Sequence, residues 1–347
     1  MKKLVCFAAL LAAAAGTSCE KQAAEQNPNS GNNPGEGQQI TLSFESARPA
    51  PGADTRAFGE GTTEAWEKAV NSATVFVFDA EGAVKFRRDL STTEIANAPT
   101  TPVSLIVPDI RVGESCDFVV VANRTVPQSV TSMDLLLAET DTDAAAYNGT
   151  FANVTSKAMR SGGFVMTGQA RQKIVEGTTK VAVTLRRTVA KVEVSMAASE
   201  AFKSKYGNAT ITINRISLSR GASATYLMDR SATGYAAAGS TFSSEQASSA
   251  GHNLFYIFEK AAAGEGSRVL LTVETTYDID GSASTTADQV PVTYEVELTG
   301  AGGGKILRNG AYHVKGSIDG LTGQDLTLTV SVAPWETLQT QEVNLGQ

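Results

Sequence analysis

The stretch ITLSFESARPAPGADTRAFG, residues 40–59, joins an apolar strand to a chain segment that cannot extend it. Three apolar residues alternate with polar ones at its start: Ile40, Leu42 and Phe44. Side chains of a β-strand point alternately to its two faces, so these three share one face. Residues 47–54 hold two prolines and a glycine, which end the strand. The stretch therefore predicts a strand with one apolar side, tied to the rest of the chain by a flexible linker.

The composition indicates a globular all-β protein. The 347 residues are 42 % hydrophobic and 19 % charged, proportions that are typical of folded rather than disordered chains. The net charge is −7 and no cluster of basic residues occurs, which argues against a nucleic-acid partner. Segments with a helical period are scarce, while short apolar runs separated by glycine-rich turns are many. This pattern predicts β-sandwiches in tandem.

The N-terminus has the pattern of an export signal. Two lysines precede an apolar core of 12 residues, which is too short to span a bilayer. Small residues then precede Cys19, as in a bacterial lipobox, although Gly16 stands where that pattern usually has leucine. We predict a signal peptide over residues 1–18 and lipidation of Cys19, with an ordinary secretory signal as the alternative. Residues 19–39 are polar and predict a disordered tether.

No residue pattern in the sequence indicates catalysis or a bound cofactor. The two histidines, His252 and His313, lie outside any metal-ligand spacing, and each is interpreted as a strand or turn residue whose ring has its hydrogen bonds. Cys116 falls in an apolar run and is expected to pack as a small hydrophobic residue. Asp278 and Asp280 are too few carboxylates for an EF-hand loop and indicate a hairpin turn. We therefore predict no enzyme, no metal and no cofactor.

Apolar runs predict strands along most of the chain. The predicted strands cover residues 73–78, 83–86, 102–107, 117–122, 164–167, 180–185, 209–218, 254–258, 269–277, 290–298, 312–318 and 325–332. A helix is predicted over residues 132–139 with Ser132 as its N-cap. Arg186 and Arg187 separate two alternating runs, which predicts a domain boundary between residues 186 and 187.

Several segments together resemble the fimbrillins of Bacteroidales, the subunits of type V pili. They follow the family's order: Cys19 with its preceding small residues, TRAFG at 55–59, VFVFD at 75–79, VVVAN at 119–123, FVMTG at 164–168, the junction at 187–192, RNGAY at 308–312 and PW at 334–335. Each motif is short, and their order over nearly the whole chain makes the match specific. The resemblance implies two tandem β-sandwich domains, transthyretin-like or Greek-key, with few short helices. We place them at residues 57–186 and 187–347.

The resemblance also implies that residues 40–56 form an N-terminal strand and a cleavable linker. In the family an Arg-specific protease cuts after the arginine of the TRAFG motif, which here lies between Arg56 and Ala57. The residues support this assignment, because Arg56 precedes a small residue in a flexible segment, where proteolysis concentrates. Arg48 precedes proline, which such proteases cut poorly. An ordinary surface arginine in a loop is the alternative.

The cut is expected to remove the first strand together with the lipid tether. Its apolar residues are predicted to fill a groove: Ile40, Leu42 and Phe44. Each such side chain contributes roughly 1.5–3 kcal/mol when buried. Its loss leaves an open core and unpaired strand edges, which attract another chain. The resemblance implies that a strand of another subunit then fills the groove.

The strand that enters the groove is expected near the C-terminus. Residues 326–332 alternate cleanly and are interpreted as a strand of the second domain. Residues 337–345 are the predicted exchanged segment, with Leu338, Val343 and Leu345 as its anchors.

These expectations together predict a stalk subunit of a fimbria, exported as a lipoprotein to the outer membrane and supporting adhesion and biofilm formation. Its predicted partners are other copies of itself, other fimbrial subunits and the Arg-specific protease. The membrane is reached only through the lipid on Cys19. One alternative is an accessory or tip fimbrial adhesin. Another is a monomeric glycan-binding surface lipoprotein, which an aromatic content of only 7 % and two tryptophans do not favour.

Overall fold

The computed structural model describes residues 37–46, 63–230, 234–235, 241–282, 284–299, 303–321, 326–334 and 343–345. The strands are β1 (Gln38–Ser46), β2 (Ala73–Phe78), β3 (Val84–Asp89), β4 (Val103–Val107), β5 (Ser115–Ala122), β6 (Thr140–Asp141), β7 (Met166–Lys173), β8 (Thr178–Arg187), β9 (Val189–Ala198), β10 (Thr210–Gly221), β11 (Thr225–Tyr226), β12 (Phe242–Ala247), β13 (His252–Phe258), β14 (Leu270–Asp278), β15 (Gln289–Glu297), β16 (Gly310–Ile318), β17 (Leu326–Pro334) and β18 (Val343–Leu345).

The helices are short. They are α1 (Ala65–Lys68), α2 (Thr92–Asn97), α3 (Met133–Ala138), α4 (Phe151–Val154) and α5 (Glu200–Tyr206), with a 3₁₀ helix at Ala144–Tyr147. Within the described ranges, no helix has the length and apolar character needed to cross a membrane. The prediction of an all-β chain with few short helices is confirmed.

The strands of the first half form a sheet that folds over itself, in the order β3-β2-β5-β7-β8-β1-β4. Neighbouring strands are antiparallel except β1 and β8, which run parallel. Residues 178–185 of β8 pair with β1, while only Arg186 and Arg187 pair with β7. The buried side chains of β1, β4 and β8 share one apolar core with those of β2 and β5. The two halves of the sheet therefore face each other as a sandwich.

Gly168 of β7 lies where this sheet turns from one layer to the other. A Cβ atom at Gly168 would stand 2.6 Å from Cγ1 of Val183 and closer still to the carbonyl oxygen of Thr184, both on β8. Only glycine lets the backbones of β7 and β8 come this close together. The glycine of the FVMTG motif is therefore explained by packing.

The strands of the second half form two further sheets. Their orders are β12-β10-β14-β15 and β13-β9-β16-β17-β18. In the second of these, β16 runs parallel to β9 and the other pairs are antiparallel. The two sheets enclose a second apolar core, in which Phe202 of α5 meets Tyr277 edge to face at 6.0 Å. This is a second sandwich.

A third apolar core joins the two sandwiches. Phe76 and Phe78 of β2 point away from the first core and pack in a cluster that includes Tyr256 and Phe258 of β13. Phe164 contacts Tyr256 with ring centroids 4.8 Å apart. β2 is thus buried on both faces, as continuous apolar runs such as ATVFVF indicate. The described residues, which begin at Gly37, belong to one compact unit, and the boundary between residues 186 and 187 stays a prediction.

Every predicted strand overlaps an observed one, and the predicted helix is confirmed as α3. The hydroxyl of Ser132 accepts a hydrogen bond from the N–H of Leu135 at 3.3 Å and caps the helix, as predicted. The largest shift concerns residues 164–167, because that strand starts at Met166 and continues to Lys173. The sequence did not predict the other helices or three of the short strands, which are β6, β11 and β12. β12 has the sequence FSSEQA, whose polar residues carry no strand signal of their own.

Candidate functional site: the first strand and the buried network at its end

The first strand, β1, is the middle strand of a three-stranded layer. It pairs antiparallel with β4 over residues 38–42 and parallel with β8 over residues 39–46. Backbone hydrogen bonds on both sides thus hold β1, although β4 and β8 do not pair with each other. Without β1, the described strands β4 and β8 would each present an unpaired edge.

The apolar side of β1 is fully inserted in the first core. Ile40 and Leu42 are 0 % exposed and Phe44 is 4 % exposed. They belong to the core cluster that contains Val75 of β2 and Phe118 of β5. The space that these three side chains fill is a groove with β4 and β8 as its walls and the opposite layer of the sandwich as its floor.

Side-chain hydrogen bonds of β1 supplement the backbone ladders. The hydroxyl of Ser43 donates to the carbonyl oxygen of Val181 at 3.3 Å, and the hydroxyl of Thr178 donates to Oε1 of Gln39 at 3.2 Å. A cleft of about 230 Å³ adjoins Phe44 at the end of the strand. The strand is therefore held mainly by ladder pairing and apolar burial, interactions that another strand of similar pattern can reproduce.

Arg187 is the point where the end of β1 meets the rest of the molecule. Its side chain is 0 % exposed. Nη2 donates to Oγ of Ser46 at 3.4 Å, Nε donates to the carbonyl oxygen of Glu67 at 2.7 Å, and Nη1 donates to Oδ1 of Asn309 at 3.0 Å. The last residue of β1, the helix α1 and the loop before β16 thus converge on one guanidinium group.

A chain of buried polar groups continues from Glu67, which is 0 % exposed. Its Oε1 accepts a hydrogen bond from the hydroxyl of Tyr256 at 2.6 Å and lies 3.1 Å from Nζ of Lys191. Lys191 also lies 3.0 Å from Oε1 of Glu193. Oε2 of Glu193 lies 3.0 Å from Nδ1 of His313. Helix α1, which follows the linker, is therefore fixed to β9, β13 and β16.

The charges of this network set the pKa of its members. Burial by itself lowers the pKa of Lys191, but the carboxylates of Glu67 and Glu193 outweigh burial, so the pKa is raised. Burial by itself raises the pKa of Glu193, but its hydrogen bond with His313 and the charge of Lys191 outweigh that, so the pKa is lowered. Burial and the charge of Glu67 raise the pKa of Tyr256. The ammonium, the Glu193 carboxylate and the neutral phenol are thus the forms that fit this site.

The prediction that both histidine rings have their hydrogen bonds is wrong for one nitrogen. Nδ1 of His252 lies 3.0 Å from the hydroxyl of Ser195, in agreement with the prediction. Nε2 of His313 is buried and has no hydrogen-bond partner. His313 lies inside strand β16, and its ring faces Glu193 through Nδ1.

Four of the predicted site residues fall outside the described ranges: Cys19, Arg56, Ala57 and Leu338. The other two predicted anchors of the exchanged segment lie on β18. Val343 pairs with Val330 and Leu345 with Leu328, so β18 is the edge strand beside β17.

The predicted turn and the buried cysteine are confirmed. Asp278 ends β14 and Asp280 lies in the turn that follows, and with Asp288 their carboxylates come within 4.8 Å of one another. A hydrogen bond from the N–H of Ser282 lowers the pKa of Asp280. Among the described residues, these three form the cluster that could approach a cation, and their bonds to backbone N–H groups are those of a turn. Cys116 is 0 % exposed, and burial raises its thiol pKa to about 11, which makes it unreactive.

The sequence reading did not predict the buried network. The sequence pattern that could have indicated the network is the run VAKVEV, residues 189–194. In this run, opposite charges stand two positions apart on one face of an otherwise apolar strand. Charges are rarely buried unless they are paired, so Lys191 and Glu193 inside such a run indicate a buried ion pair.

The chain matches a known family over most of its length. The model of a family described as Fimbrillin-A associated anchor proteins Mfa1 and Mfa2 matches residues 33–340. A comparison with curated protein sequences finds no match.

Solved structures share the fold. A fimbrilin (fimA) from Porphyromonas gingivalis W83 is 16 % identical, with a TM-score of 0.56 over 88 % of this chain and 99 % of that one. A fimbrial assembly protein from Parabacteroides distasonis ATCC 8503 is 14 % identical, with a TM-score of 0.53 over 90 % of this chain and 100 % of that one. A candidate cell adhesion protein from Bacteroides eggerthii DSM 20697 is 18 % identical, with a TM-score of 0.58 over 89 % and 99 %.

Proposed function

Since the chain belongs to the family of Fimbrillin-A associated anchor proteins Mfa1 and Mfa2, we propose that it is a structural subunit of a cell-surface fimbria and that it polymerises by strand exchange. The observation that carries the proposal is β1. It is a central strand with three buried apolar side chains, and in the sequence a proline-rich linker with Arg56 follows it directly.

Cutting after Arg56 separates β1 from the chain that follows. The released piece carries the predicted lipid tether and the three side chains that fill the groove. The unpaired edges of β4 and β8 and the open apolar core then favour uptake of a strand that alternates apolar and polar residues. Such a strand regains both ladders and the buried apolar area.

The rest of the mature chain has its own attachments. Helix α1 is held by Glu67 through its contacts with Lys191 and Tyr256, none of which involves β1. The Ser46–Arg187 hydrogen bond ties β1 to this network at 3.4 Å. The cut therefore frees β1 while the new N-terminal region stays on the body.

The exchanged strand is proposed to be the C-terminal segment, residues 337–345. Within the described residues, β18 pairs with β17 over residues 343–345 and is the edge strand of its sheet. An edge strand is held by a ladder on one side, so it separates at a lower cost than a central strand such as β1. Each subunit then accepts one strand and gives one, which builds a linear polymer.

Export as a lipoprotein completes the proposal. The signal peptide and Cys19 bring the precursor to the outer membrane, where an Arg-specific protease matures it. The polymer supports adhesion and biofilm formation at the cell surface. No step in this scheme requires catalysis by the chain itself.

Digestion of the purified precursor tests the proposal. An Arg-specific protease should produce a new N-terminus at Ala57, and an unboiled gel should then show a ladder of high-mass species. The Arg56→Ala variant should remain uncut at this position and monomeric, while Arg48→Ala should behave as the unaltered chain. A monomer that persists after clean cutting at Arg56 would contradict strand exchange.

Deletion of residues 337–347 tests the exchanged segment. The truncated chain should still be cut at Arg56 and should cap polymers of the full chain, because it accepts a strand and gives none. Unchanged ladders from the truncated chain alone would show that another segment is exchanged. A subunit at the tip of a fimbria would also accept a strand without giving one. A cut full chain that forms no dimers or polymers by itself, but binds a synthetic peptide of residues 40–46 in its groove, would favour the accessory or tip role over the stalk role.

An anchor subunit is the second candidate, since the family description names anchor proteins. An anchor would retain β1 and its lipid and would end the polymer at the membrane. It would therefore resist cutting at Arg56 in cells, whereas a stalk subunit would be recovered with Ala57 as its first residue. Sequencing the N-terminus of the protein from sheared surface material separates the two.

A further inference from the structure

Large apolar side chains are exposed at the end of the first sandwich where β1 begins. Ile106 is 58 % exposed, Val112 is 47 % exposed and Val175 is 44 % exposed. We call these three residues the entry surface. Exposed charged residues surround them: Arg111, Glu114, Lys173 and Glu176. An apolar centre with a charged rim is the usual composition of a protein contact.

Two of the three residues lie beside the start of β1, and the third lies on a neighbouring turn. Ile106 pairs with Gln39 on one side of β1, and β8 pairs with Gln39 on the other side. Val175 lies in the turn that leads into β8. The N–H of the residue after Val112 donates to the carbonyl oxygen of the residue before Val175 at 2.8 Å, so the two turns are in contact.

The chain that enters the groove passes over this surface. Gly37 precedes β1, and a Cβ atom at Gly37 would lie 2.7 Å from Cγ2 of Ile106. The precursor therefore covers part of the entry surface with its own N-terminal segment. Removal of that segment exposes more of Ile106 at the same time as it opens the groove.

The direction of β1 indicates which part of a second subunit contacts the entry surface after the cut. β1 runs parallel to β8, so it starts at the entry surface and ends at Ser46 beside Arg187. A strand that takes over both ladders in the same direction must enter with its N-terminal end at the entry surface. When that strand is a C-terminal segment, the body of the subunit that supplies it lies immediately before it. That body is consequently brought against the entry surface.

We propose that the entry surface is a docking site for a second copy of this chain, the copy whose C-terminal segment occupies the groove. The inference rests on the proposed strand exchange and adds a contact between folded bodies. Burial of the entry surface stabilises the junction beyond the strand alone and fixes the angle between successive subunits.

The test compares Val112→Asp and Val175→Asp with Leu135→Asp. Leu135 is 46 % exposed, lies on α3 and is outside the entry surface, so it is a matched control. Two quantities are measured on each cut protein: the rate of polymer growth, and the affinity for a synthetic peptide with the sequence of residues 40–46. The peptide fills the groove without bringing a second body.

The two entry-surface variants should bind the peptide as the unaltered protein does and should polymerise about tenfold more slowly or worse. Leu135→Asp should change neither quantity. Unchanged polymer growth in both entry-surface variants would overturn the docking site. Weakened peptide binding in them would also overturn it, since the surface would then act on the groove itself. Failure of the unaltered cut protein to bind the peptide or to polymerise would instead contradict the strand exchange.

Discussion

At the scale of single residues, a few buried polar side chains hold the segment after the linker on the body. Glu67 interacts with Lys191 and Tyr256, and Arg187 binds the carbonyl oxygen of Glu67. Burial of these groups is tolerated because each has a partner whose attraction offsets the cost of desolvation. The loss of one partner should therefore lower the stability of the fold strongly.

Glu67→Gln should lower the free energy of unfolding by about 3 kcal/mol, because it leaves the ammonium of Lys191 buried beside a neutral amide. Urea unfolding of the precursor measures this change. The control is Glu200→Gln, which removes an ion pair with Lys203 that lies exposed on α5 and should change stability little. Equal effects of the two substitutions would contradict the assigned role of Glu67.

Glu193 and Lys191 should make stability depend on pH in a defined window. The pKa of Glu193 lies below its ordinary value of 4.5, so its contribution is present above pH 4.5 and is lost as pH falls through the lowered pKa. The pKa of Lys191 lies above its ordinary value of 10.5, so its contribution is present below pH 10.5 and is lost as pH rises through the raised pKa. Unfolding curves at a series of acidic pH values should show a smaller loss of stability in Glu193→Gln than in the unaltered chain. Parallel pH profiles would contradict this.

Gly168 should not tolerate a side chain. Gly168→Ala places a Cβ atom against Val183 and the carbonyl oxygen of Thr184, and overpacking of this kind costs about 1–3 kcal/mol. Thermal unfolding of the precursor measures the effect. Gly264→Ala is the matched control, because nothing lies within 4 Å of its added Cβ atom. An unchanged unfolding temperature in Gly168→Ala would show that β7 and β8 can move apart there without loss of stability.

At the scale of elements, β1 is a core strand that we propose to be removable. Its three buried side chains and two ladders hold it firmly in the first sandwich. Its only covalent link to the described residues that follow runs through residues 47–62. The element can therefore be stable in the precursor and still leave after one cut.

Leu42→Ala should weaken the precursor by about 2–5 kcal/mol, since the removed methyl groups leave a cavity in the first core. After cutting at Arg56, the fragment with β1 should dissociate faster than the unaltered fragment. Thr41→Ala, on the opposite face of β1, is the control for both measurements. The dissociation rate is followed by a fluorophore on the fragment. Equal rates for the Leu42 and Thr41 variants would show that apolar burial does not retain β1.

At the scale of the whole molecule, three apolar cores are stacked through the described residues. The third core packs β2 and β5 of the first sandwich against β13 of the second. Its aromatic members contact one another, as Tyr147 and Phe258 do at 5.9 Å. A shared core of this kind couples the two sandwiches energetically.

The precursor should therefore unfold in a single calorimetric transition, with the calorimetric enthalpy equal to the van't Hoff enthalpy. Tyr256→Ala, which removes an aromatic ring from the third core, should separate this transition into two. Two transitions in the unaltered chain would show that the sandwiches unfold independently and that the third core contributes little.

Much of the fold followed from the sequence because strand signals are local. Period-2 alternation identified the apolar face of β1, and prolines with glycine identified its end. Continuous apolar runs identified β2 and β5. The short helices other than α3, and β12, were missed, since a single turn or a polar edge strand has no such signal and depends on its neighbours.

The sequence by itself determined where most of the strands lie and which face of β1 is apolar. Only the tertiary structure decided that β1 lies between β4 and β8, that it runs parallel to β8, and that Arg187 is buried beside Ser46, 141 positions away. The reason is physical. Alternation and chain breaks are properties of neighbouring residues, whereas ladder partners and buried charges are chosen by the packing of segments far apart in the chain.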